Sequence, residues 1–456
     1  MISSLDEAVR QLRTVPGLGF TTRPFLLLPL LRTGCLEVLL SSQTADRGWA
    51  ERFGVELHAG EELTGVREDT NARGQLDRLL AALPERLQDR WRGREFALAT
   101  YTPPRAEWQA ALAGAGAHLL LPRPQPSAAV MTDKIAMRDW FRGLGLSTPA
   151  DTVVGELDGR ALRRRFGERY VVQLPRGSGG QGTFLVDHAA DGEQALHRIP
   201  ASPDGRWLIS EYAGDVSLNF HGLVGADGSV SVLRPSLQLT GVAGIGAAFG
   251  WYSGCDFGAP ALLPPTVPVR GAEAVERIGW GLAELGYHGV FGADVVVRGE
   301  SITVLEVNCR LQGSTWLLGE LELAERRMPT LLRHVLERRG QVTLAKPAPD
   351  PAPGVQLTVR HRGPAGRVAI APGSGVHALA DGVLHRRADG YGLLECGEDD
   401  CVVLQVPPVG TLVRPGTVLA RLVCRRPLTT PDGRELAPYG RQLVDALYAR
   451  FAVEPC

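Results

Sequence analysis

The sequence predicts a protein of several domains, in mixed α/β and α+β classes. Its 456 residues are too many for one ordinary core and fit about three domains of roughly 100–200 residues each. Strand-like apolar runs alternate with helical periodicity in the first 125 residues, as in an α/β domain with a parallel sheet. Longer strands and glycine-rich loops follow, and a proline-rich segment leads into a β-rich tail. The expected units are 1–130, then 131–208 and 209–340 as two lobes of one domain, the linker at 346–353, and 350–456.

The composition is that of a globular protein, with 44% hydrophobic and 22% charged residues. A formal net charge of −1 gives no electrostatic reason to expect nucleic acid as a partner. The apolar run at 25–31 is too short to span a bilayer, and the N-terminus lacks the basic start of a signal peptide. Seven scattered cysteines without a Cys-x-x-Cys pattern favour a reducing compartment. We expect a cytoplasmic protein without a membrane segment.

The first 130 residues carry strand and helix signals but no nucleotide motif. A helix is predicted at Gln75–Leu83, where leucines recur at helical spacing, and Pro84 is expected to end or kink it. No Gly-x-Gly-x-x-Gly motif occurs there, so nothing marks this domain as a nucleotide site. The predicted strands are Phe25–Leu28, Glu37–Leu40, Phe96–Tyr101 and His118–Pro122.

Lysine is rare in this chain. Of 49 Lys and Arg residues, only Lys134 and Lys346 are lysines. A lysine is therefore less expected to be an idle surface charge, since arginine cannot replace a compact ammonium where a point charge is needed. Lys134 opens a predicted helix that runs to about Leu144, with Thr132 or Asp133 as its cap.

A glycine-rich loop joins two predicted strands, Tyr170–Leu174 and Thr183–Val186. Its bare backbone N–H groups can close over phosphate groups. A mobile hairpin without a ligand explains the same glycines equally well, so both interpretations stay open. The residues of this loop are Gly177, Ser178, Gly179, Gly180 and Gly182.

Polar residues interrupt a second, otherwise apolar hairpin. Glu306 and Asn308 are two residues apart on one strand, so their side chains point to the same face. If Arg298 pairs with Ile302, Asp294 lies opposite Glu306 and three oxygen ligands converge, which suits Mg²⁺. A shift of one residue in this register would put Asp294 on the other face. The hairpin therefore predicts a metal site, provided that its turn takes three residues.

The order of these features resembles the ATP-grasp superfamily over about residues 130–325. The resemblance implies an ATP-grasp fold, preceded by a pre-ATP-grasp α/β domain and followed by a small β-rich C-terminal domain. The segment at 209–215 is similar to the hinge that holds adenine and ribose, and Arg310 matches the arginine that stabilises charge on the transferring group. The implied nucleotide-binding residues are Lys134, Glu211, Tyr212, Asp215 and those of the glycine loop, and the implied metal ligands are Asp294, Glu306 and Asn308.

One position departs from the family pattern. The family usually has a second lysine on the strand before the loop, and this chain has Gln173. Glutamine can donate a hydrogen bond to a phosphate but brings no charge. Arg176, three residues further on, is positioned in sequence to supply that charge. Both residues are therefore candidates for nucleotide binding.

The resemblance implies a ligase that uses ATP and Mg²⁺, with Mn²⁺ as a substitute. A small carboxylate would be activated as an acyl phosphate, and the amine of an amino acid or peptide would attack it, with release of ADP and phosphate. Length and layout resemble the peptide ligases of the pheganomycin type, which implies the biosynthesis of a peptide antibiotic. A homodimer stays open as the assembly.

Two other functions stay open. The first is a subunit similar to biotin-dependent carboxylases, which share this fold. The segment at 409–420 resembles the turn of a biotinyl-carrier domain, but no lysine follows Lys346, so a carrier would belong to another chain. The second is a nucleotide-binding regulator without turnover, which Gln173 favours because it replaces a charged contact.

Overall fold

The computed structural model describes residues 2–42, 48–67, 72–101, 106–120, 131–177, 179–180, 182–190, 192–339 and 352–456. The helices are α1 Leu5–Leu12, α2 Leu28–Arg32, α3 Gly48–Phe53, α4 Gly60–Thr64, α5 Ala72–Trp91, α6 Ala106–Gly114, α7 Lys134–Gly143, α8 Gly159–Phe166, α9 Gly192–His197, α10 Thr266–Glu284, α11 Thr315–Ala324, α12 Thr330–Arg339 and α13 Pro438–Tyr448. Within these ranges no helix is both long enough and apolar enough to cross a membrane. All seven cysteines are free thiols.

The strands fall into four sheets across the described ranges. Those before the hinge are β1 Gly17–Thr21, β2 Val38–Ser41, β3 Glu56–Ala59, β4 Glu95–Thr100, β5 His118–Leu120, β6 Asp151–Val154, β7 Arg169–Gln173, β8 Thr183–Asp187 and β9 Trp207–Glu211. The following ones are β10 Val216–Val224, β11 Val230–Val232, β12 Ser236–Thr240, β13 Tyr252–Asp256, β14 Gly289–Arg298 and β15 Ser301–Asn308. The tail contributes β16 Val355–Arg360, β17 Gly366–Ile370, β18 Gly375–Ala380, β19 Val383–Ala388, β20 Asp400–Leu404, β21 Leu412–Val413, β22 Val418–Cys424 and β23 Ala452–Pro455.

The N-terminal domain contains a parallel sheet in the order β3-β2-β1-β4-β5, which confirms the predicted α/β class. Leucines at helical spacing on α5, Leu76 among them, pack against this sheet. Two local predictions are wrong. The run at 25–28 is a turn of 3-10 helix that leads into α2, because Pro24 fixes a helical start. The second is the end of a helix at Pro84: the helix continues to Trp91, and the alternative of a kink at Pro84 stays a prediction.

The predicted glycine loop joins two strands of an antiparallel sheet, as expected. The sheet has the order β6-β9-β7-β8, with β7 and β8 paired from Arg169↔Asp187 to Gln173↔Thr183. Helix α7 precedes it and begins at Lys134, with Asp133 as the N-cap whose carboxylate accepts from the Ile135 and Ala136 N–H groups. The predicted cap and helix are therefore confirmed.

The largest sheet carries both the predicted hairpin and the β-rich tail. Its strands follow the order β15-β14-β10-β12-β13-β16-β22-β20-β18-β19, with β11 on the edge of β10. Strand β16 pairs with β13, so the tail continues the sheet begun before the proline-rich segment. Most of that segment, residues 340–351, lies outside the described residues. The short strands β21, β17 and β23 form a separate sheet.

The register of the β14–β15 hairpin differs from the prediction at the turn and agrees with it at the site. Arg298 pairs with Ser301, so the turn takes two residues and the condition of a three-residue turn is not met. A bulge at Leu305 then adds one residue to β15, and Asp294 lies opposite Glu306 as predicted. Without that bulge, the shorter turn would move Asp294 out of register with Glu306.

An ion cluster fastens the N-terminal domain to the rest of the molecule. Arg32 on α2 pairs with Glu320 on α11 at 2.6 Å and with Glu395 of the tail at 2.5 Å. Glu320 is fully buried, and this burial raises its pKa to about 7 although Arg32 opposes the shift. One guanidinium thus stabilises two acids from segments that are distant in sequence.

We predict that Arg32→Ala destabilises the protein strongly at pH 8 and less at pH 5. Removing the cation leaves Glu320 buried without its partner, which costs about 3–5 kcal/mol when the acid is charged. At pH 5 Glu320 takes up a proton, because its pKa lies well above that pH, and part of the loss disappears. Urea midpoints at both pH values measure the effect. Arg94→Ala, which removes an exposed pair with Glu37, should cost about 1 kcal/mol at most; equal losses in both variants would contradict the prediction.

Candidate functional site

A cavity of about 680 Å³ lies between the β6–β9 sheet, the largest sheet and the N-terminal domain. Thirteen of the fifteen predicted site residues line it: Lys134, Gln173, Gly177, Gly179, Gly180, Gly182, Glu211, Tyr212, Asp215, Asp294, Glu306, Asn308 and Arg310. Of the other two, Arg176 is not among the lining residues, and Ser178 lies outside the described residues. Residues that are up to 176 positions apart in sequence therefore meet around one space.

Asp294 is held by side-chain amides on three sides. The Asn219 amide donates to its Oδ1 at 2.6 Å, the Gln238 amide donates to the same oxygen at 3.3 Å, and the Asn308 amide lies 3.5 Å from Oδ2. Burial, with the nearby charge of Glu306, raises the pKa of Asp294 to about 6. The anionic carboxylate is therefore costly here, although two amides stabilise it.

Lys134 pairs with the second acid of the hairpin. Its Nζ lies 2.8 Å from Glu306 Oε2, and both side chains are largely buried. The backbone N–H of Lys134 donates to the Pro175 carbonyl at the base of the glycine loop, at 2.9 Å. The start of α7, the loop and the hairpin are thus joined through one lysine.

Arg310 lies at the end of β15 beside the third predicted ligand. Its Nη2 donates to Asn308 Oδ1 at 3.1 Å, and its Nη1 donates to the Leu311 carbonyl at 3.1 Å. Burial raises the pKa of the neighbouring Cys309 thiol to about 12, so this cysteine is not a thiolate nucleophile. A fixed cation adjoins the acids, as predicted.

The hinge predicted to bind a nucleoside also lines the cavity. Glu211 accepts from the Ala150 N–H at 3.0 Å, and the Tyr212 hydroxyl donates to Asp215 at 2.7 Å. Arg434, from the loop before α13, pairs with Asp215. The acid expected to hold a ribose therefore shares its charge with an arginine from the C-terminal region.

The glycine loop rests on a second glycine-rich segment. Gly180 has φ +79°, and a Cβ at this position would overlap the Gly250 carbonyl. Gly179 has φ +66° but open space around it. On the strand before the loop, Gln173 donates to the Thr183 hydroxyl at 3.2 Å, so its amide is directed across the hairpin. The close approach at Gly180 requires glycine for both space and backbone conformation.

Arg176 points away from the lining of the cavity. Its guanidinium lies 4.0 Å from Asp133 and 3.8 Å from Asp204, and the side chain is 65% exposed. The sequence analysis chose Arg176 because it follows Gln173 by three residues, and that spacing does not fix where the side chain lies. Its proposed part in binding a phosphate would require a change of rotamer.

Several lining residues were missed by the sequence analysis, among them Arg23, Tyr101, Arg138, Asn219, Gln238, Tyr252, Gln312, Ser314 and Arg421. Asn219 and Gln238 interrupt apolar strands in the way that marked Glu306 and Asn308, so their polarity was a usable signal. Arg421 likewise interrupts the apolar strand β22. These three residues could be assigned to this site only once the order of the strands in the sheet was known.

The donor set around Asp294 suits a hard divalent cation. Asp294, Glu306 and Asn308 offer carboxylate and amide oxygens on one face, and such cations prefer oxygen ligands. Within the described residues no group of three or more His, Cys, Asp or Glu side chains is arranged to hold a metal. Two acids and one amide would leave further positions for water or a ligand's own oxygens.

A comparison with known families agrees with this geometry. A sequence model described as an ATP-grasp domain matches residues 131–314. That range contains the glycine loop, the hinge, the hairpin and Lys134. The chain has the ATP-grasp fold. No curated protein matches the sequence.

Solved structures with the ATP-grasp fold resemble almost the whole chain. The N5-carboxyaminoimidazole ribonucleotide synthetase of Thermus thermophilus is 17% identical, with a TM-score of 0.52, over 90% of this chain and 93% of that one. The synthetase of the same name from Thermotoga maritima is 14% identical, with a TM-score of 0.52, over 97% and 100%. The biotin carboxylase domain of the Hydrogenobacter thermophilus 2-oxoglutarate carboxylase, a dimer described with MgADP and bicarbonate, is 12% identical, with a TM-score of 0.58, over 96% and 91%.

We predict that Asp294→Asn raises the apparent melting temperature of the metal-free protein at pH 7–8. The pKa of Asp294 is raised from 3.8 to about 6, so the folded state binds its proton more tightly than the unfolded state does. Its contribution to stability therefore falls as pH rises from about 4 to about 6 and stays low above that. A gain of roughly 2–4 °C at pH 7.5 that vanishes near pH 4 is expected. Asp227→Asn is the control, because hydrogen bonds from Ser229 lower the pKa of that exposed acid and no gain should follow.

Proposed function

We propose that this protein is an ATP-dependent ligase that joins a carboxylate to an amine through an acyl phosphate. The observation that carries this proposal is the meeting of Lys134, Arg310 and the hairpin acids around one cavity that the hinge also lines. Cations beside a two-acid site suit the transfer of a phosphoryl group, because such catalysis consists mainly of positioning and charge stabilisation.

The residues divide into a nucleotide set and a metal set. In the proposal, Lys134 and the N–H groups of the glycine loop bind phosphates, and Gln173 adds a neutral donor. The hinge receives the base and ribose at Glu211, Tyr212 and Asp215. Asp294, Glu306 and Asn308 would hold Mg²⁺, or Mn²⁺, which neutralises phosphate charge when bound. The biotin carboxylase domain of Hydrogenobacter thermophilus was solved in complex with MgADP, which supports this choice.

Arg310 is the proposed catalytic residue. The carboxylate attacks the terminal phosphorus, the bond to the bridging oxygen breaks, and ADP leaves. The amine then attacks the acyl carbon, loses a proton, and displaces phosphate. Arg310 is anchored by Asn308 and the Leu311 carbonyl, so its charge is fixed beside the site where negative charge develops.

The substrates are proposed as a small carboxylate and the amine of an amino acid or peptide. A role in making a peptide natural product, as in ligases of the pheganomycin type, is supported by the three-part layout of the chain. The names of the structural neighbours favour a second candidate, carboxylation of an amine with bicarbonate as the acid. In that case, as in the first, ATP would activate an acid for attack by nitrogen.

Phosphate release in a matrix of acids and amines tests the proposal. We expect release that requires both an organic carboxylate and an amino acid or dipeptide. Release that requires bicarbonate in place of the organic acid would favour the second candidate. Tight nucleotide binding with no release in any pair would contradict both and favour a regulator.

We predict that Lys134→Ala raises the KM for ATP roughly tenfold or more, or abolishes activity, because it removes a charged donor to phosphate. Lys134→Arg should rescue little, since a planar guanidinium cannot replace a compact ammonium. Steady-state kinetics with varied ATP measures the effect. Lys346→Ala, at the other lysine of the chain, is the matched control and should leave the KM for ATP unchanged. An unchanged KM in Lys134→Ala would remove this lysine from the site.

We predict that Gly180→Ala lowers kcat/KM for ATP at least tenfold. The new Cβ would overlap the Gly250 carbonyl and keep the loop from seating, in addition to straining a backbone with positive φ. Gly179→Ala is the control, because it has similar backbone strain, roughly 1 kcal/mol, but open space around it. The two variants are compared by kinetics and by melting temperature. Equal effects of the two would show that seating on Gly250 does not matter.

A further inference from the structure

Arg421 is a buried arginine in the wall of the cavity. It lies on β22, whose other residues are apolar apart from Cys424, and only 7% of its surface is exposed. Burying a guanidinium is costly unless charged or polar groups compensate for the lost water. The strand belongs to the C-terminal region, whose Arg434 already pairs with Asp215 of the hinge. Arg421 itself has no role in the function as proposed so far.

Neutral side chains hold this guanidinium in place. Arg421 Nε donates to Gln405 Oε1 at 2.8 Å, and Nη1 donates to the Thr358 hydroxyl at 2.8 Å. Its Cζ lies 4.7 Å from the centre of the Phe25 ring. These three contacts orient the guanidinium in the wall of the cavity.

The backbone at Gln405 is strained in a way that serves this contact. Gln405 has φ +56°, although it is neither glycine nor asparagine, and it is buried. Such a left-handed residue costs on the order of 1 kcal/mol or more and persists where surrounding structure compels it. Gln405 is also the residue whose amide oxygen accepts from Arg421, so the orientation of Arg421 is maintained at a cost in stability.

Arg421 and Arg310 are two separate cations that line this cavity. Arg310 is bound to Asn308 beside the hairpin acids, whereas Arg421 is bound to strands of the tail. The Tyr101 hydroxyl lies near both: burial raises its pKa, and the two arginines oppose that shift. Tyr252, which accepts from Gln356 at 2.7 Å, also lines the cavity. Two cations from different parts of the chain therefore line the same cavity.

We infer that Arg421 binds a second carboxylate of the substrates, one that is not phosphorylated. This inference rests on the proposed ligase function. A planar guanidinium with a fixed orientation matches the two oxygens of a carboxylate, and a desolvated site strengthens the contact. The carboxylate has two candidate sources: the amino acid or peptide that supplies the amine, or an acid component that carries two carboxylates.

Equilibrium binding of succinate, with succinamide as its neutral counterpart, tests the site apart from turnover. Melting shifts with each probe are measured on the full chain in the presence of MgADP at constant ionic strength. We expect succinate to bind the wild type roughly 10- to 100-fold more tightly than succinamide, the range typical of a charged hydrogen bond. Equal binding of the two probes, or equal binding of inorganic phosphate, would overturn the carboxylate site. The shift with MgADP alone reports nucleotide binding, so failure of the ATP site is seen separately.

Two variants locate the preference at Arg421. Arg421→Gln removes the cation, and Gln405→Glu keeps the shape of the anchor but places a negative charge against Nε. Each should abolish most of the difference between succinate and succinamide, and Gln405→Glu covers the case in which Arg421→Gln does not fold. Arg426→Gln, at an exposed arginine just past the same strand, should keep the difference. A preference that survives in Gln405→Glu would overturn the assignment.

Turnover then identifies the source of the carboxylate. Once an active pair of substrates is found, amino acid or peptide amines are compared with their C-terminal amides, and succinate is compared with succinamate. A loss of roughly tenfold or more in kcat/KM in one series shows which component binds at Arg421. Losses in neither series, with active enzyme, would overturn the inference while leaving the ligase function intact.

Discussion

The arrangement of the cavity depends on the repulsion between Asp294 and Glu306, which face each other across the β14–β15 hairpin. Burial raises the pKa of Asp294 to about 6, and the nearby charge of Glu306 adds to that shift, so two charged acids are costly here. The compensating groups come from three directions: the amides of Asn219 and Gln238 donate to Asp294, and Lys134 pairs with Glu306. Side chains from β10, β12 and helix α7 thus compensate the charges of one hairpin.

The hairpin could be predicted from sequence because its signal is local. Polar residues two apart on an apolar strand share a face whatever the rest of the fold does, which gave Glu306 and Asn308. The position of Asp294 was right for a different reason from the one predicted. The turn is one residue shorter, and the bulge at Leu305 adds that residue back. Bulges are not visible in a pattern of apolar and polar residues, so this agreement was partly fortunate.

Other parts of the site could not be predicted because they depend on strand order. Asn219 meets Asp294 only because β10 lies beside β14, and Arg421 reaches the cavity only because β16 and β22 continue the same sheet. The orientation of loop side chains could not be predicted either. Arg176 follows Gln173 by three residues, yet its guanidinium lies near Asp133 and Asp204. In the N-terminal domain, the strand predicted at 25–28 is wrong, because Pro24 favours a helical turn there.

The pairing of Lys134 with Glu306 has a consequence for how nucleotide and metal would bind in the proposed function. The lysine is predicted to contact phosphate and the glutamate to contact Mg²⁺, yet the two side chains lie 2.8 Å apart. Phosphate alone would draw Lys134 away and leave Glu306 facing Asp294 without its cation. A divalent cation alone would be placed beside the ammonium, which repels it. When both bind together, the contact between Lys134 and Glu306 is replaced by two: Lys134 with phosphate, and Glu306 with the divalent cation. Each ligand should therefore increase the affinity for the other. This coupling is reciprocal by thermodynamic linkage. The salt bridge therefore gives the site a physical reason to take the metal and the nucleotide as a single complex.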